Sequence, residues 1–359
     1  MNKWIILLCG ALAGCQISPK EEADGNACQT INLATVLDRE PTGIKLDEWA
    51  KSVRFIPLET TDSVLLNAYI PQLVYFQDKL VIYNNEKIYL FNPEGKFIRM
   101  IGSRGEGPEE FLAAGNLSVD EEGIHIEDYC KWIKTYGWDG KWKRTTSVPA
   151  NINIQEVLPL PDGRNIGYVQ NISGKEPTRM YLFRDSTVLD SIPYARSFEP
   201  GEIKMVFYSE CKAFSTPSGD YVKEMFNDTI YRITKENTLA ARWVVDAGQY
   251  KMPEGGRYQL QAPRNSLFQE KKAAHISVVG NSNGLLYLTA NLNGKSYLVC
   301  YDEKDGKTES VKLPYPEHSF EFKEENTFVP RFVSEDSRYL IGYEAQENDE
   351  NPVIILAER

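Results

Sequence analysis

The stretch GSRGEGPEEF, Gly102 to Phe111, places three glycines in six positions. Such a run can wrap backbone N–H groups around an anion. A phosphate loop, however, needs Gly-Lys-Ser/Thr at its end or a helix straight after it. Here Pro108 has no N–H, and Glu106, Glu109 and Glu110 would repel a phosphate. The stretch reads as a chain corner, with ligand contact by Arg104, Glu106 or Glu109 as the functional alternative. GNSNG, Gly280 to Gly284, matches G-x-S-x-G, but a nucleophile elbow needs a strand, a sharp turn and a helix. Strand-like sequence flanks both sides, so Ser282 reads as a hairpin-turn residue. The three histidines, His125, His275 and His318, are far apart and none is paired at i, i+4. Metalloprotease spacing is therefore absent, and neither a metal nor a cofactor is expected. Adjacent acids such as Glu109-Glu110 and Glu121-Glu122 face opposite sides of a strand and make poor catalytic dyads. Trp138 and Trp142 sit at or beside a turn, where covering a sheet flank competes with stacking on a sugar.

The elements that must position these residues are strands. Helical periodicity is scarce, and short β-rich runs broken by turn residues recur. One hairpin appears as IYLFNPEGKFIRMI from Ile88 and again as IKTYGWDGKWKRTT from Ile133, aligned without a gap. Looser copies start at Met180, Ile230 and Ser296. A second hairpin precedes each, with turns near Lys79, Gly123, Gly163, Gly219, Gly284 and Ser337. Glu-Gly, Asp-Gly and Glu-Asn corners suit hairpins because glycine and asparagine accept positive φ cheaply. Two hairpins make a four-stranded unit, and six units recur at roughly 40 to 65 residues, the pattern of a β-propeller. The sixth unit lacks its fourth strand, while a spare strand, SVRFIPLET, lies near Val53 to Leu58. The expected fold is all-β: a six-bladed β-propeller over 46–359, its last blade closed by this N-terminal strand.

The N-terminus, MNKWIILLCGALAGCQ, has a positive Lys3, a short apolar run and Leu-Ala-Gly-Cys ending at Cys15. This is a lipoprotein signal over 1–14, with Cys15 as the lipidated residue. Residues 15–45 read as a lipidated cysteine and polar tether, and PKEEADG within it suits either a surface-export tag or a solvated linker. The formal net charge is −11, and removing the signal takes away only Lys3. Nothing in this acidic chain draws nucleic acid or anionic headgroups, so the membrane is met through the lipid alone. Cys130, Cys211 and Cys300 fall in strand-like stretches without CxxC spacing, which reads as buried free thiols.

The lipobox at Cys15, VRFIPLET, YLFNPEGKFIRMIGSRGEGPEEF and the terminal NPVIILAER together resemble the NHL-related six-bladed propeller lipoproteins of gram-negative gut anaerobes. The resemblance spans roughly Val53 to Arg359. It implies an outer-membrane, lipid-anchored location, exposed at the cell surface or facing the periplasm, and it says little about chemistry.

In such a ring the corner at Gly102–Phe111 links the outer strand of one blade to the inner strand of the next. That connection shares a face with the turns between second and third strands, where ligand sites commonly surround the channel. Further inter-blade connections bring Asn151, Asn153, Tyr194, Arg196, Lys204, Tyr250, Arg257, Tyr258, Arg264, His318 and Arg331 to this face. The longest is expected to hold a short helix around Asn265 to Ala274. The ligand candidates are Arg104, Glu106, Glu109, Arg196, Tyr250, Arg257, Arg264, His318 and Arg331. The competing reading pairs each arginine with an acid of the same chain. Two functions stay open: a monomeric binding or scaffold module for a glycan, peptide or partner protein, and a glycan-active lyase or hydrolase on the same face. Scarce histidine and the absent nucleophile motif favour the first. A channel-mouth cluster of Arg or His with Tyr and a carboxylate would favour the second. Cys15→Ala should leave the protein without palmitate label and outside the membrane fraction; a mutant that still labels and fractionates with membrane would refute the lipobox.

Overall fold

The computed structural model describes residues 28–39, 50–199, 209–253, 256–259, 273–293, 295–313, 328–346 and 350–359. These residues form six sheets arranged as a ring, each built on four antiparallel strands. Blade 1 runs from the axis outward as Gln72–Phe76, Lys79–Asn84, Lys87–Phe91 and Phe97–Met100. Blade 2 is Ala114–Val119, Ile124–Asp128, Trp132–Tyr136 and Trp142–Ser147. Blade 3 is Glu156–Pro159, Arg164–Tyr168, Thr178–Arg184 and Thr187–Pro193. Blade 4 is Cys211–Thr216, Gly219–Glu224, Thr229–Ile233 and Leu239–Asp246. Blade 5 is His275–Ser282, Leu285–Leu292, Lys295–Asp302 and Thr308–Leu313.

Blade 6 takes Phe332–Val333, Tyr339–Glu344 and Val353–Glu358 from the end of the chain, and its outer strand, Ser52–Pro57, from the beginning. The expected clasp is therefore present. It pairs antiparallel from Ser52 opposite Glu358 to Pro57 opposite Val353. Asn351 locks it further, donating to the carbonyls of Glu59 (2.7 Å) and Val64 (2.8 Å) and accepting from the N–H of Leu66 (2.7 Å). The hairpin of blade 1 then closes over the clasp. Gly95 sits at φ +80°, and a Cβ there would meet the Pro57 carbonyl oxygen at 2.2 Å, so only glycine fits.

Alternation along the strands gives each sheet two apolar faces, and neighbouring blades bury them against each other. Ile56, Ile82, Phe91, Ile341 and Leu356 fill the layer between blades 6 and 1. Leu90, Phe111, Val119, Ile126 and Tyr136 fill the next. At this boundary Trp138 stacks on Phe76 with ring centroids 5.7 Å apart, so it covers a blade flank. Near the axis, side chains join one blade's inner strands to the next. Gln72 bonds Gly115 and Leu117, Asn116 bonds Val157, Glu156 accepts the N–H groups of Glu210 and Cys211, and Lys223 donates to the Ile276 carbonyl.

Two local readings differ. Gln29–Asn32, expected within the tether, pairs in parallel with Leu239–Asp246 as a fifth strand of blade 4. Ile31 and Leu33 are fully buried there, and the helical turn Ala34–Leu37 follows. The polar composition of residues 16–30 hid this apolar hook just beyond it. Cys130, placed by its sequence in a strand, lies at positive φ (53°) in the turn after Ile124–Asp128. Cys130, Cys211 and Cys300 are free thiols.

Deleting residues 51–60 removes a six-residue ladder and leaves two sheet edges open. Each lost bond is worth about 0.5 to 1.5 kcal/mol against a total of roughly 5 to 15 kcal/mol. The thermal midpoint should drop by about 10 °C or more, or cooperativity should vanish. A truncated chain that melts like the full one would contradict ring closure.

Candidate functional site

The six inner strands surround an axial channel. From the face of the inter-blade connections, a cavity of about 600 Å³ descends between Tyr69–Val74, Asn116–Leu117, Leu158–Pro159, Ser209, Cys211–Ser215, His275, Ser277–Val279 and Val329–Val333. A second cavity of about 820 Å³ opens on the hairpin face. Ser215 and Glu335 line both, so the two meet along the axis.

Charge is distributed unevenly along this path. Each inner strand runs from the connection face to the hairpin face, so its first residues stand at the connection end. Lys212, the second residue of Cys211–Thr216, and Arg331, just before Phe332–Val333, face each other there from blades 4 and 6. The Lys212 Nζ donates to the Arg331 carbonyl at 3.3 Å. Its ammonium also lies 6.0 Å from the Phe332 ring centre, and the Arg331 guanidinium lies 5.1 Å from that of Tyr343. Tyr343 is fixed in turn by Ile70, whose N–H donates to its hydroxyl at 3.0 Å. Lys212 is enclosed by the ring yet wetted by the channel; burial, and then the Arg331 charge, depress its pKa to about 8. His275 stands at the head of the blade 5 inner strand, and burial followed by Lys223 lowers its pKa.

The other end is acidic. Asp78, Asp120, Glu121, Asp162, Asp220, Glu335 and Asp336 line the hairpin-face cavity with Arg164, Arg232, Lys235 and Arg338. Arg164 is spent on Asp162 and Asp220, and Arg338 on Glu358. The Glu335 carboxyl is pushed up to about 8, by burial first and then by Asp220 and Asp336. It is therefore largely protonated at neutral pH.

The corner at Gly102–Phe111 is filled by its own anion. The Gly107 N–H donates to Glu110 Oε2 at 2.9 Å, and a Cβ on Gly105 would strike that carboxylate at 2.0 Å. Phe111 plugs the loop into the layer between blades 1 and 2. Arg104 is exposed and pairs with Glu86 in the turn between second and third strands of blade 1. It thus lies on the expected face, but it does not line the channel cavity, nor do the exposed Glu106 and Glu109.

Among the other candidates that fall within the described residues, Arg331 alone lines the channel. Arg196 lies 5.2 Å from the Phe198 ring centre, Phe198 stacks on Tyr258 at 5.0 Å, and Tyr258 donates to the Asn171 carbonyl. Tyr250 bonds Asp38 at 2.7 Å. Arg257 falls in a short 3₁₀ turn, Gly256–Gln259. Cys15, Lys204, Arg264 and His318 lie outside the described residues, as does most of the helix expected around Asn265 to Ala274. Ser282 ends an inner strand, and its hydroxyl donates to the Arg338 carbonyl. Sequence reading missed Lys212 and Glu335; for Lys212 the available signal was a charge inside a strand assigned to the axis, whereas Glu335 lies in the turn after Phe332–Val333. It also missed that Asp120, Glu122 and His125 bring their oxygens and nitrogen within 4.8 Å of one another. Those groups are already engaged: Asp120 with His125 (3.0 Å), His125 with Thr135 (3.1 Å), and Glu122 with Arg144.

Six four-stranded blades closed by an N-terminal strand define a six-bladed β-propeller with an axial pocket. The chain belongs to the family named domain of unknown function DUF4934, which it matches over residues 28–357. No curated protein matches it. A solved structure of a protein described as exported, from Bacteroides fragilis NCTC 9343, shares the fold. It has 16% identity and a TM-score of 0.70, with 92% of this chain and 100% of that one covered. An extracellular domain of a hybrid two-component system from B. thetaiotaomicron is 9% identical with a TM-score of 0.42, over 84% of this chain and 39% of that one. The Neurospora crassa Pan2 WD40 domain is 8% identical with a TM-score of 0.39, over 81% and 75%. At such TM-scores the last two have no bearing on this chain.

The raised Glu335 pKa makes a signed prediction. A carboxyl whose folded pKa lies near 8 against an ordinary 4.5 costs stability fully above pH 8, and the cost vanishes below about 4.5. Glu335→Gln should therefore melt higher than the native chain at pH 8.5, and the difference should shrink as pH falls and close by about pH 4. A difference that is flat across this range would refute the shift.

Proposed function

We propose that this protein is a cell-envelope binding module that receives its ligand in the axial channel from the connection face. The observation carrying this reading is the cavity of about 600 Å³, walled by all six inner strands and holding Arg331 at its head. Concave, partly apolar pockets with a few converging polar groups are the usual form of ligand sites. Scarce histidine and the lack of a recognisable nucleophile motif in the sequence favour recognition over turnover. Export is supported by the signal-like N-terminus and by the neighbouring fold from a protein described as exported. Lipidation at Cys15, residence in the outer membrane and a kinship with NHL-related propellers complete the proposal. The ligand is a glycan, a peptide or a partner protein, and the working form is a monomer.

The test uses the lipid-free chain beginning at Gln16, screened against glycan and peptide mixtures with product analysis of the same samples. Binding without turnover is expected. Arg331→Ala should weaken it about tenfold or more, the loss of one charged hydrogen bond of roughly 1.5 to 3 kcal/mol. Arg104→Ala should leave both binding and melting nearly unchanged, since an exposed pair contributes about 0 to 1 kcal/mol. Equal binding by both variants would move the site off this channel, and released products would make the protein a glycan-active lyase or hydrolase.

A further inference from the structure

We propose that the channel is a carboxylate receptor, in which Lys212 and Arg331 together grip one carboxylate of the ligand. This rests on the channel being the binding site, and it adds the chemical class of what enters.

The argument begins with missing partners. The chain has 51 acidic against 40 basic residues, so a counter-charge is normally at hand. Three enclosed arginines have one: Arg164 pairs with Asp220, Arg179 with Glu224 and Arg242 with Glu303. Lys212 and Arg331 have no carboxylate partner among the described residues. They stand close enough for Nζ to bond the Arg331 carbonyl at 3.3 Å, and each lies beside an aromatic ring that leaves N–H donors unspent. The Lys212 ammonium rests on the Arg331 backbone carbonyl and feels the Arg331 charge, and two like charges enclosed within electrostatic reach of each other are costly unless an anion joins them. Burial first, and then the Arg331 charge, depress the pKa of Lys212, and a bound anion would offset both.

The rest of the channel favours a carboxylate. Arg331 offers a planar fork and Lys212 a point charge, which suits the two oxygens of one carboxylate. Phosphate sites are commonly cradled by helix N-termini or successive backbone N–H groups, and no described helix borders this cavity. Between the polar groups the wall is apolar, with Leu73, Leu117, Leu158, Val279, Phe332 and Val333. The ligand is thus a carboxylate on a compact, partly apolar body. Glu335, further down the axis, is held largely neutral at pH 7 and does not repel it. The same group occurs on acidic sugars and at peptide C-termini, and the experiment separates the two.

The probes are D-galacturonate and its short oligomers, their neutral galactose counterparts, and Gly-Leu-Phe tripeptide with a free or amidated C-terminus. Calorimetry at pH 7 with the chain from Gln16 should show binding of at least one carboxylate form and at least tenfold weaker binding of its neutral counterpart. The form that binds identifies the source. Lys212→Met should abolish that preference while melting at or above the native temperature, because a like charge is removed from beside Arg331. Arg331→Gln should also abolish it. At pH 8.5, probe binding should be accompanied by proton uptake by Lys212, read from the dependence of heat on buffer ionisation. Equal binding of acidic and neutral forms, with loss in Arg331→Gln, would overturn the carboxylate inference and leave the channel as the site. Carboxylate binding that survives both substitutions, or no binding of any carboxylate probe, would overturn the assignment to Lys212 and Arg331.

Discussion

Ring closure is the constraint on which everything else depends. The six-residue ladder between Ser52–Pro57 and Val353–Glu358 joins segments some 300 residues apart. It converts six separate sheets into a structure with a shared axis. Without it blade 6 would have an open outer edge, and Arg331 would have no fixed height relative to Lys212 on blade 4. The contact between those two is a consequence of closure, since the strands that carry them share no sheet. Loop-closure entropy makes such a long-range clasp expensive to form, and the reinforcement by Asn351 and the close fit of Gly95 on Pro57 offset that cost.

Closure also dictates the chemistry available at the axis. Inner strands present backbone groups to the channel, so side chains from neighbouring blades take up part of that demand: Gln72, Asn116, Glu156 and Lys223 are all spent in this way. What remains unspent is informative. Among the described residues it includes Lys212 and Arg331 at the connection end and, toward the hairpin end, the Glu335 carboxyl, which burial and the nearby acids keep from ionising readily. A molecule entering from the connection face meets attraction first and a neutral wall beneath it.

The architecture was legible because it is written in repetition. Paired turns recur at a steady period, and one spare strand matches one missing strand, which is enough to count blades and predict the clasp. The Gly102–Phe111 corner was legible for a related reason: its acids argue against an external anion, and Glu110 proves to occupy the cradle itself. The channel was only partly legible. Arg331 was reached because loop residues of the connection face can be enumerated, but the same enumeration included Arg104, which closure leaves outside the channel on Glu86, and Tyr250, which bonds Asp38. Lys212 was missed because alternation tells which side of a sheet a residue faces, while the axis is an edge; Glu335 was missed because it sits in a hairpin turn, where an acid ordinarily reads as solvated. The Gln29–Leu37 hook was missed because four strands already satisfied the blade pattern, and nothing in a repeat announces a fifth.

The acidity of the whole chain narrows what the channel can accept. At a net charge of −11, the surface field disfavours long polyanions, and the acidic hairpin-face mouth does so at close range. Screening at physiological salt, with a Debye length of about 8 Å, confines that repulsion to molecules lying along the surface. A single carboxylate at the tip of a ligand escapes most of it, because only the tip reaches Lys212 and Arg331 and the remainder can be neutral. Attraction is then local and enclosed, and for that reason weakly screened. The combination of an acidic exterior and a cationic channel head selects against charge density and for one well-placed acid, which an all-basic surface could not do.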